Sequence, residues 1–372
     1  MISISPRMNP LEILIREMIA ENGPLSLETY MALALTHPVH GYYVSKLPLG
    51  ESGDFITAPE ISQIFGELIG LWCVAVWRLM GAPQPLLVVE LGPGRGTLMA
   101  DALRAARVAP DFLSAIDVRL VESNGQLQHW QRAALKDFGG PVGWHATIEE
   151  LPDGPAIIVA NEFFDCLPVR QFVRGANGWH ERLVGLNGEG RLCFGLAPDP
   201  EPGLIARGEP GQVFEAGLAA ARLMTWLAAR ISAHGGVLLA IDYGYDSPAH
   251  GETLQAARSH RFADPLIDPG EADITAHVDF CSLSRAARAA GATVHGAVPQ
   301  GEWLARLGLF ERAAKLRKQA SHYQIAEIDS ALQRLAAERQ DSATGDMARL
   351  FKVLAVTGPG VPVPPGFEAA AA

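Results

Sequence analysis

The stretch that decides the fold is LVVELGPGRGTLMADALR, residues 87–104. It begins with an apolar run that contains Glu90, continues through three glycines at alternate positions, Gly92, Gly94 and Gly96, and then opens into a helical pattern. Glycines directly after an apolar strand let the main chain turn tightly and approach a ligand, because no Cβ atom stands in the way. The stretch therefore predicts a strand, a tight turn and a helix, with a nucleotide-type cofactor held at the turn.

Short apolar runs along the chain predict a parallel sheet that is buried on both faces. Each of the first four runs ends at or beside an acid or an amide, and helical segments separate them. The runs are LLVVEL (86–91), DVRLVE (117–122), PAIIVANE (155–162) and GVLLAIDYG (236–244). This alternation is typical of a doubly wound, Rossmann-like α/β sheet. ATVHGAV (292–298) and LFKVLAV (350–356) are candidates for the last two strands. Because ligands of such sheets bind outside the carboxyl ends of the strands, the polar residues there mark the predicted site.

The remaining segments predict a helical cap, an insertion and a tail. Two helical patterns with a loop between them form a predicted N-terminal helical cap over residues 1–85. The α/β domain is predicted over residues 86–358. Antiparallel hairpins are expected as an insertion at about residues 166–215, where alternating apolar residues surround the turn sequences GANG and NGEG. Residues 359–372 are rich in Pro, Gly and Ala and predict a disordered tail.

Composition and charge argue against several kinds of partner. Thirty Lys and Arg residues against 41 Asp and Glu residues give a formal net charge of −11, which repels a phosphate backbone, so no nucleic-acid partner is predicted. No run approaches the roughly 20 apolar residues of a membrane-spanning helix, so no membrane insertion is predicted. The cysteines, Cys73, Cys166, Cys193 and Cys281, form no CxxC pair. Neither a disulfide framework nor a metal site is therefore predicted.

The spacing of the glycines distinguishes between two nucleotide cofactors. A dinucleotide fingerprint, G-x-G-x-x-G, would place its third glycine at position 97, which is Thr97. Glu90 would repel a pyrophosphate but attract a cationic amino-acid moiety. This combination favours S-adenosylmethionine over NAD. Glu122, at the end of the next strand, is placed to accept hydrogen bonds from both ribose hydroxyls. A glycine-rich turn or a glutamate at a strand end is a weak signal alone, so the prediction depends on the features together.

A third group of polar residues follows the next strand in the chain, in NEFFDCLP, residues 161–168. We expect Asn161, Glu162 and Asp165 to project into the crevice where the transferable group lies. Two acids and an amide beside aromatic rings are suited to hold a cationic substrate. The alternative is structural, since either Glu162 or Asp165 would also serve as the cap of the following helix.

The motifs, taken in order, resemble those of class I S-adenosylmethionine-dependent methyltransferases, and among them the MidA-like group. That group includes the mitochondrial complex I assembly-factor arginine methyltransferase and many bacterial relatives. The resemblance covers roughly residues 8–358. The matching segments are HPVHGYY (37–43), GDFITAPEISQIFGELIG (53–70), ELGPGRGTLMADALR (90–104), NEFFDCLPVRQF (161–172), IDYG (241–244), DITAHVDF (273–280) and MARLFKVL (347–354).

The resemblance implies a seven-stranded methyltransferase sheet with the last strand antiparallel and the insertion on the substrate side. It implies that the segment GDFITAPEIS folds over the cofactor, S-adenosyl-L-methionine, with Asp54 and Thr57 at the methionine end. The predicted cofactor-binding residues are then Asp54, Thr57, Glu90, Gly92, Gly94, Gly96, Glu122 and Asn161. The resemblance also implies a protein substrate, since eukaryotic members are associated with symmetric dimethylation of an arginine in a respiratory complex I subunit.

An arginine acceptor needs help from the protein, because a guanidinium with a pKa above about 12 is a poor nucleophile. Carboxylates that pair with two of its nitrogens would orient the third, and Glu162 with Asp165 are the candidates. His277, in AHVDF, is a candidate to relay the released proton, although a lone histidine is more often a structural hydrogen-bonding group. Asn161 completes the set of predicted catalytic residues.

Three alternatives to arginine methylation stay open at this stage. In the first, the methyl acceptor is a small molecule or another O or N group. In the second, the chain is a respiratory assembly chaperone that retains the cofactor fold. An NAD-dependent oxidoreductase is disfavoured by the glycine spacing. The N-terminal residues lack a secretory h-region and an Arg-rich, acid-poor leader, so we expect the bacterial cytoplasm, or the mitochondrial matrix for a eukaryotic chain. The sequence leaves the oligomeric state and the number of methyl groups open.

Overall fold

The computed structural model describes residues 9–46, 57–247, 249–336 and 347–368. In chain order its helices are α1 (Pro10–Asn22), α2 (Leu27–Thr36), α3 (Tyr42–Ser45), α4 (Ala58–Ile61), α5 (Gln63–Leu79), α6 (Thr97–Ala105), α7 (Pro110–Ala115), α8 (Gly125–Ala134), α9 (Leu218–His234), α10 (Phe280–Ala289), α11 (Gln300–Arg306), α12 (Leu309–Arg317), α13 (His322–Leu335) and α14 (Met347–Leu350). None of these described helices combines the length and the apolar character needed to cross a bilayer.

The strands of the described residues alternate with the helices through most of the chain. They are β1 (Leu25–Ser26), β2 (Leu86–Leu91), β3 (Ile116–Val121), β4 (Val142–His145), β5 (Ala156–Asn161), β6 (Arg170–Arg174), β7 (Trp179–Leu186), β8 (Leu192–Leu196), β9 (Val213–Ala216), β10 (Gly236–Tyr245), β11 (Gln255–Arg258), β12 (Arg261–Ala263), β13 (Asp273–Thr275), β14 (Val278–Asp279), β15 (Thr293–Pro299) and β16 (Phe351–Thr357).

The chain divides into two compact units, each assembled from three segments. We call the first the insert unit; its segments are Met1–Phe55, Asp165–Ala220 and Pro248–His277. We call the second the sheet unit; its segments are Ile56–Phe164, Ala221–Ser247 and Val278–Ala372. This division differs from the predicted boundary at residue 85, because α4 and α5 belong to the sheet unit whereas α1 to α3 belong to the insert unit.

The helix α5 packs against α6 at very short range, which explains its place in the sheet unit. A Cβ atom added at Gly70 would lie 2.3 Å from the carbonyl oxygen of Ala102, and one added at Gly66 would lie 2.7 Å from Cβ of Asp101. Glycines at these two positions let the two helix backbones touch. Around them α5 is apolar, and Phe65 and Trp72 are buried in the core of the sheet unit.

A mixed sheet forms the centre of the sheet unit, in the order β15-β16-β10-β5-β2-β3-β4. The pairs from β10 through β5, β2 and β3 to β4 are parallel, whereas β16 is antiparallel to both β10 and β15. The α/β class is therefore confirmed, and the antiparallel last strand is that of the resembled family. The sheet has eight strands rather than the seven expected, because the two-residue strand β14 pairs with the end of β10.

The strands of this sheet that have long apolar runs were predicted correctly from the sequence. All six residues of β2 and all six residues of β5 are buried, as expected of strands covered on both faces. The strand β4 was not predicted. Its sequence, VGWH, has no apolar run, and its residues are only half-buried, because it is the last strand on its side of the sheet.

The insert unit contains two antiparallel sheets and the helices α1 to α3. The first sheet has the order β1-β7-β6-β9, with β8 paired to β7, so antiparallel strands occupy the predicted insertion. The second has the order β12-β11-β13 and lies in residues 255–275, which carried no strand prediction. The core of this unit includes Ile15, Tyr30, Met31 and Val184.

The prediction of a disordered tail is wrong for residues 359–368, the part of it that the structure describes. Residues 359–368 run along the sheet unit without regular secondary structure, but they are held there. The indole Nε1 of Trp72 donates a 3.1 Å hydrogen bond to the carbonyl oxygen of Pro365, and the ring of Phe367 packs 6.2 Å from that of Trp303. Prolines exclude a helix or an inner strand but leave carbonyl acceptors and apolar contacts available. Residues 369–372 lie outside the described residues.

Candidate functional site

The glycine turn between β2 and α6 adopts a conformation that favours glycine at three positions. The φ angles of Gly92, Gly94 and Gly96 are +61°, +53° and +83°. The turn is closed by a hydrogen bond of 2.8 Å from the Gly96 N–H to the carbonyl oxygen of Pro93, and the Gly92 N–H donates to Val121 at 3.1 Å. A side chain would be strained at any of the three glycines. The spacing noted in the sequence therefore specifies the path of the main chain.

Two of these glycines also leave room for residues from other elements. A Cβ atom on Gly92 would lie 2.9 Å from Cδ2 of Phe163, in the loop after β5. A Cβ atom on Gly96 would lie 3.2 Å from Cα of Gln131, in α8. The turn, the loop after β5 and the helix α8 are thus packed together at the carboxyl ends of the strands.

Glu90, in β2, is a buried carboxylate that is only partly satisfied by the protein. Its side chain is 3% exposed, and the Met99 N–H, in the first turn of α6, hydrogen-bonds to it. Gly96, the cap residue of α6, provides no side chain for that role. Within the described residues Oε2 of Glu90 has no hydrogen-bond partner, and burial raises the pKa of Glu90 from 4.5 to about 8. A ligand with positive charge or N–H donors would stabilise this group.

Asn161 presents a second acceptor at the end of β5. Its Nδ2 donates to Oε1 of Glu162 at 3.2 Å, but its Oδ1 is buried and without a hydrogen-bond partner in the described part of the chain. In the parallel pairing of β2 with β5, Glu90 lies opposite Val159 and Leu91 lies opposite Ala160. Neighbouring strands therefore end in two buried side chains, each with one oxygen that has no donor among the described residues.

Glu122, after β3, is held by donors on both carboxylate oxygens. Oε1 accepts from the Asn124 N–H at 2.8 Å, and Oε2 accepts from Nε2 of Gln131 at 3.2 Å. Burial raises the pKa of Glu122, while these hydrogen bonds act in the opposite direction. Gln131 was not predicted from the sequence. Its position could have been noticed, because Gln131 comes four residues after Leu127 and so lies on the buried face of α8, where an apolar side chain is expected.

Glu162 combines a predicted site position with a structural contact. Its φ of +50° is unusual for a residue with a side chain, and such strain is most often found at functional sites. Oε1 of Glu162 accepts a 3.1 Å hydrogen bond from the Ala58 N–H at the start of α4. The capping alternative is therefore found for Glu162, but the capped helix is α4 rather than the following one. Thr57 precedes α4 and makes no capping bond with its own side chain.

A second contact holds α4 next to the glycine turn. The Oγ1 of Thr97, at the start of α6, donates to Oε1 of Glu60 at 2.6 Å, and Arg95 lies 3.9 Å from Oε2 of the same carboxylate. The short helix thus connects the end of β5 with the start of α6. Thr57 directly precedes this helix, and its place at the methionine end stays a prediction, whereas Asp54 lies outside the described residues.

Asp242, near the end of β10, fixes the loop after β5. It is fully buried, and its Oδ2 accepts hydrogen bonds from the N–H groups of Phe163, at 3.1 Å, and Phe164, at 2.9 Å. Two main-chain donors on one carboxylate oxygen hold the backbone in place immediately after Glu162. The carboxylate therefore positions the loop that carries Glu162 and Phe163.

Asp165 and His277 belong to the insert unit, whereas the other described site residues belong to the sheet unit. The carbonyl oxygen of Asp165 accepts from the Ala276 N–H at 3.0 Å, and the His277 N–H donates to Oγ1 of Thr253 at 2.8 Å. Burial lowers the pKa of His277, so its imidazole is neutral at pH 7. The catalytic roles of these two residues stay predictions.

The residues present fit a cofactor with a cationic end and a hydroxylated end. The unpartnered oxygens of Glu90 and Asn161 suit an ammonium or sulfonium ligand, and the Glu122 carboxylate has further lone pairs for hydroxyl groups. Among the described residues, no group of three His, Cys, Asp or Glu side chains is arranged to hold a metal ion.

Comparison with known proteins agrees with this fit. The family model for S-adenosyl-L-methionine-dependent methyltransferases matches residues 68–298. The chain is 40% identical to the zebrafish (Danio rerio) mitochondrial protein arginine methyltransferase NDUFAF7 over 72% of this chain and 70% of the relative. It is 38% identical to the mouse (Mus musculus) protein of the same name over 81% of this chain and 75% of the relative.

A solved structure extends the similarity to nearly the whole chain. It is the crystal structure of a Burkholderia thailandensis protein bound to S-adenosyl-homocysteine, with a TM-score of 0.83, 27% identity and coverage of 98% of both chains. The chain therefore belongs to the family of S-adenosyl-L-methionine-dependent methyltransferases.

Proposed function

We propose that this methyltransferase acts on an arginine side chain of a protein. The observation that carries the proposal is the identity of 36–40% to curated relatives named protein arginine methyltransferase, over at least 70% of the length of each. A subunit of respiratory complex I is the substrate that the family resemblance implies. The relatives are named as mitochondrial, which agrees with the matrix location expected for a eukaryotic chain.

We assign the two ends of the cofactor to different strand ends. Glu90 and Asn161 would hold the cationic methionine end, because each has a buried oxygen without a donor among the described residues. Glu122 would accept hydrogen bonds from the ribose hydroxyls. Gly92, Gly94 and Gly96 would let the main chain approach the nucleoside, and Thr57 and Asp54 are further candidates at the methionine end. When bound, the cofactor supplies a methyl carbon on a sulfonium, which is open to in-line displacement.

The protein's part in such a displacement is alignment and electrostatics. Glu162 is suited to hold a guanidinium, because the Ala58 N–H and Nδ2 of Asn161 fix its carboxylate on a loop that Asp242 holds in place. Its ionised oxygens would pair with guanidinium N–H groups and orient the remaining nitrogen toward the methyl carbon. Asp165 remains the predicted second partner. His277 likewise remains the predicted acceptor of the proton that is released on methylation.

The test uses tritium-labelled S-adenosylmethionine, the purified protein and a cell lysate. We expect label in a protein band, and acid hydrolysis of that band should yield methylarginine. The Gly94→Val variant is the matched control for labelling by other enzymes in the lysate. Label in small molecules instead, or in another amino acid, would contradict the proposal and favour a different acceptor. Cofactor binding without any label transfer would favour the assembly chaperone.

A further inference from the structure

Gln131, in α8, is a fully buried amide that forms three hydrogen bonds with other elements of the sheet unit. Its side chain is 0% exposed. Nε2 donates to the carbonyl oxygen of Gly94 at 2.7 Å and to Oε2 of Glu122 at 3.2 Å, while Oε1 accepts from Nε1 of Trp144 at 2.9 Å. The amide therefore connects the glycine turn, the carboxylate after β3 and the strand β4.

Gln131 packs closely against Gly96, the third glycine of the turn. A Cβ atom on Gly96 would lie 3.2 Å from Cα and 3.3 Å from Cγ of Gln131. At that distance Gln131 would have to shift by a few tenths of an ångström, which would disturb both hydrogen bonds of Nε2. The G-x-G-x-G spacing, which departs from the dinucleotide fingerprint, is thus coupled to a glutamine 35 residues further along the chain.

A buried amide is costly unless it is fully paired, and an apolar side chain would serve packing alone at less cost. The two donor bonds of Nε2 end on groups that contact or shape the ligand site, since Gly94 is the central glycine and Glu122 is the assigned ribose acceptor. Without Nε2, the Oε2 oxygen of Glu122 loses the donor that Gln131 provides, and the carboxylate is held less firmly in its orientation toward the crevice.

We propose that Gln131 is a positioning residue of the cofactor site, which holds the Glu122 carboxylate and the Gly94 carbonyl in one fixed arrangement and so sets the recognition of the ribose hydroxyls. The inference rests on the assignment of Glu122 in the proposed function. It adds that the affinity for the nucleoside depends on a residue that does not touch it.

The test compares Gln131→Leu with Gln128→Leu by calorimetry. Gln128, in the same helix, donates to the main-chain oxygen of Glu122 at 2.9 Å and does not bond to its carboxylate, so it is a matched control. The ligands are S-adenosyl-homocysteine and its 2′-deoxy analogue. We expect the wild-type protein and Gln128→Leu to prefer the hydroxylated ligand by about tenfold, and Gln131→Leu to lose most of that preference.

The preference between the two ligands separates positioning from a purely structural role. A general loosening of the fold would weaken both ligands equally, and that result in Gln131→Leu would overturn the inference. If Gln131→Leu does not fold, Gln131→Met keeps the length of the side chain and removes the same hydrogen bonds. Since no methyl acceptor is present, a failure here leaves the labelling test of arginine methylation independent. A wild-type protein that does not discriminate between the ligands would refute the assignment of Glu122 itself.

Discussion

Glu90→Gln tests whether the buried carboxylate of β2 responds to the charge of the cofactor. Burial raises the pKa of Glu90 from 4.5 to about 8 in the ligand-free protein. Between pH 4.5 and about pH 8, Glu90 keeps its proton in the folded protein but has lost it in the unfolded chain. The free energy of unfolding therefore falls as the pH rises through this interval. The whole interval corresponds to at most about 5 kcal/mol, of which about 2 kcal/mol falls between pH 6 and pH 8. Glutamine has no proton to lose there, and we expect the variant to lack this decline.

Binding of the cofactor should reverse the preference for the protonated form. A cation beside Glu90 favours the carboxylate, so at pH 7 the protein should release up to about one proton when S-adenosyl-homocysteine binds. The affinity should rise by at least about tenfold from pH 6 to pH 8. Glu90→Gln should bind more weakly and release almost no proton.

The assay is calorimetry in two buffers with different ionisation enthalpies, since the difference between the observed heats gives the number of protons released. Urea unfolding at pH 6 and pH 8 gives the stability term. Asp101→Asn is the control, because burial raises the pKa of Asp101 to about 6, and this group is already ionised at pH 7. Equal proton release by the wild-type protein and Glu90→Gln would refute the assignment of Glu90 to the cationic end.

Three further changes test other parts of the site and the fold. Gly94→Val should abolish binding of S-adenosyl-homocysteine, because a branched side chain is strained at a φ of +53°; normal affinity in calorimetry would contradict the role of the turn. Glu162→Gln keeps an acceptor for the cap of α4 but loses its charge, so we expect unchanged cofactor affinity and methyl transfer reduced at least about a hundredfold in the labelling assay; full activity would remove it from the catalytic set. Arg312→Met should lower the free energy of unfolding by about 2 kcal/mol in urea, because Glu67 is buried and Nε of Arg312 lies 2.7 Å from its Oε2; Arg317→Met, which breaks an exposed pair, should cost less than about 1 kcal/mol, and equal losses would contradict the argument from burial.

The sequence alone predicted the features that depend on local pattern. Apolar runs of about six residues predicted the inner strands β2, β3, β5 and β10, because a strand buried on both faces has no polar alternation. Polar residues at the carboxyl ends of those runs led to the prediction of Glu90, Glu122 and Asn161 as site residues, since parallel strands bring their carboxyl ends to one edge. The spacing of the glycines favoured S-adenosylmethionine over NAD, and the family comparison confirmed the cofactor.

The sequence pattern failed where few apolar residues mark an element. The strand β4 and the strands β11 to β13 are short and only partly apolar, so no run distinguished them from loops. The tail has the composition of a disordered segment, but single contacts such as that of Pro365 with Trp72 hold it against the core. Composition averages over residues, whereas a packed segment needs only a few suitable partners.

Local pattern thus determined the inner strands, the glycine turn and the acids that flank it, because each depends on residues close together in the chain. Only the tertiary structure decided which distant groups complete those acids. Glu162 accepts from the N–H of a residue 104 positions away, Gln131 reaches a carbonyl 37 positions away, and the loop after β5 is held by Asp242, 78 to 79 positions further on. Hydrogen bonds of this kind depend on distances of about 3 Å between atoms, which the folded arrangement of strands and helices sets and no sequence spacing reveals.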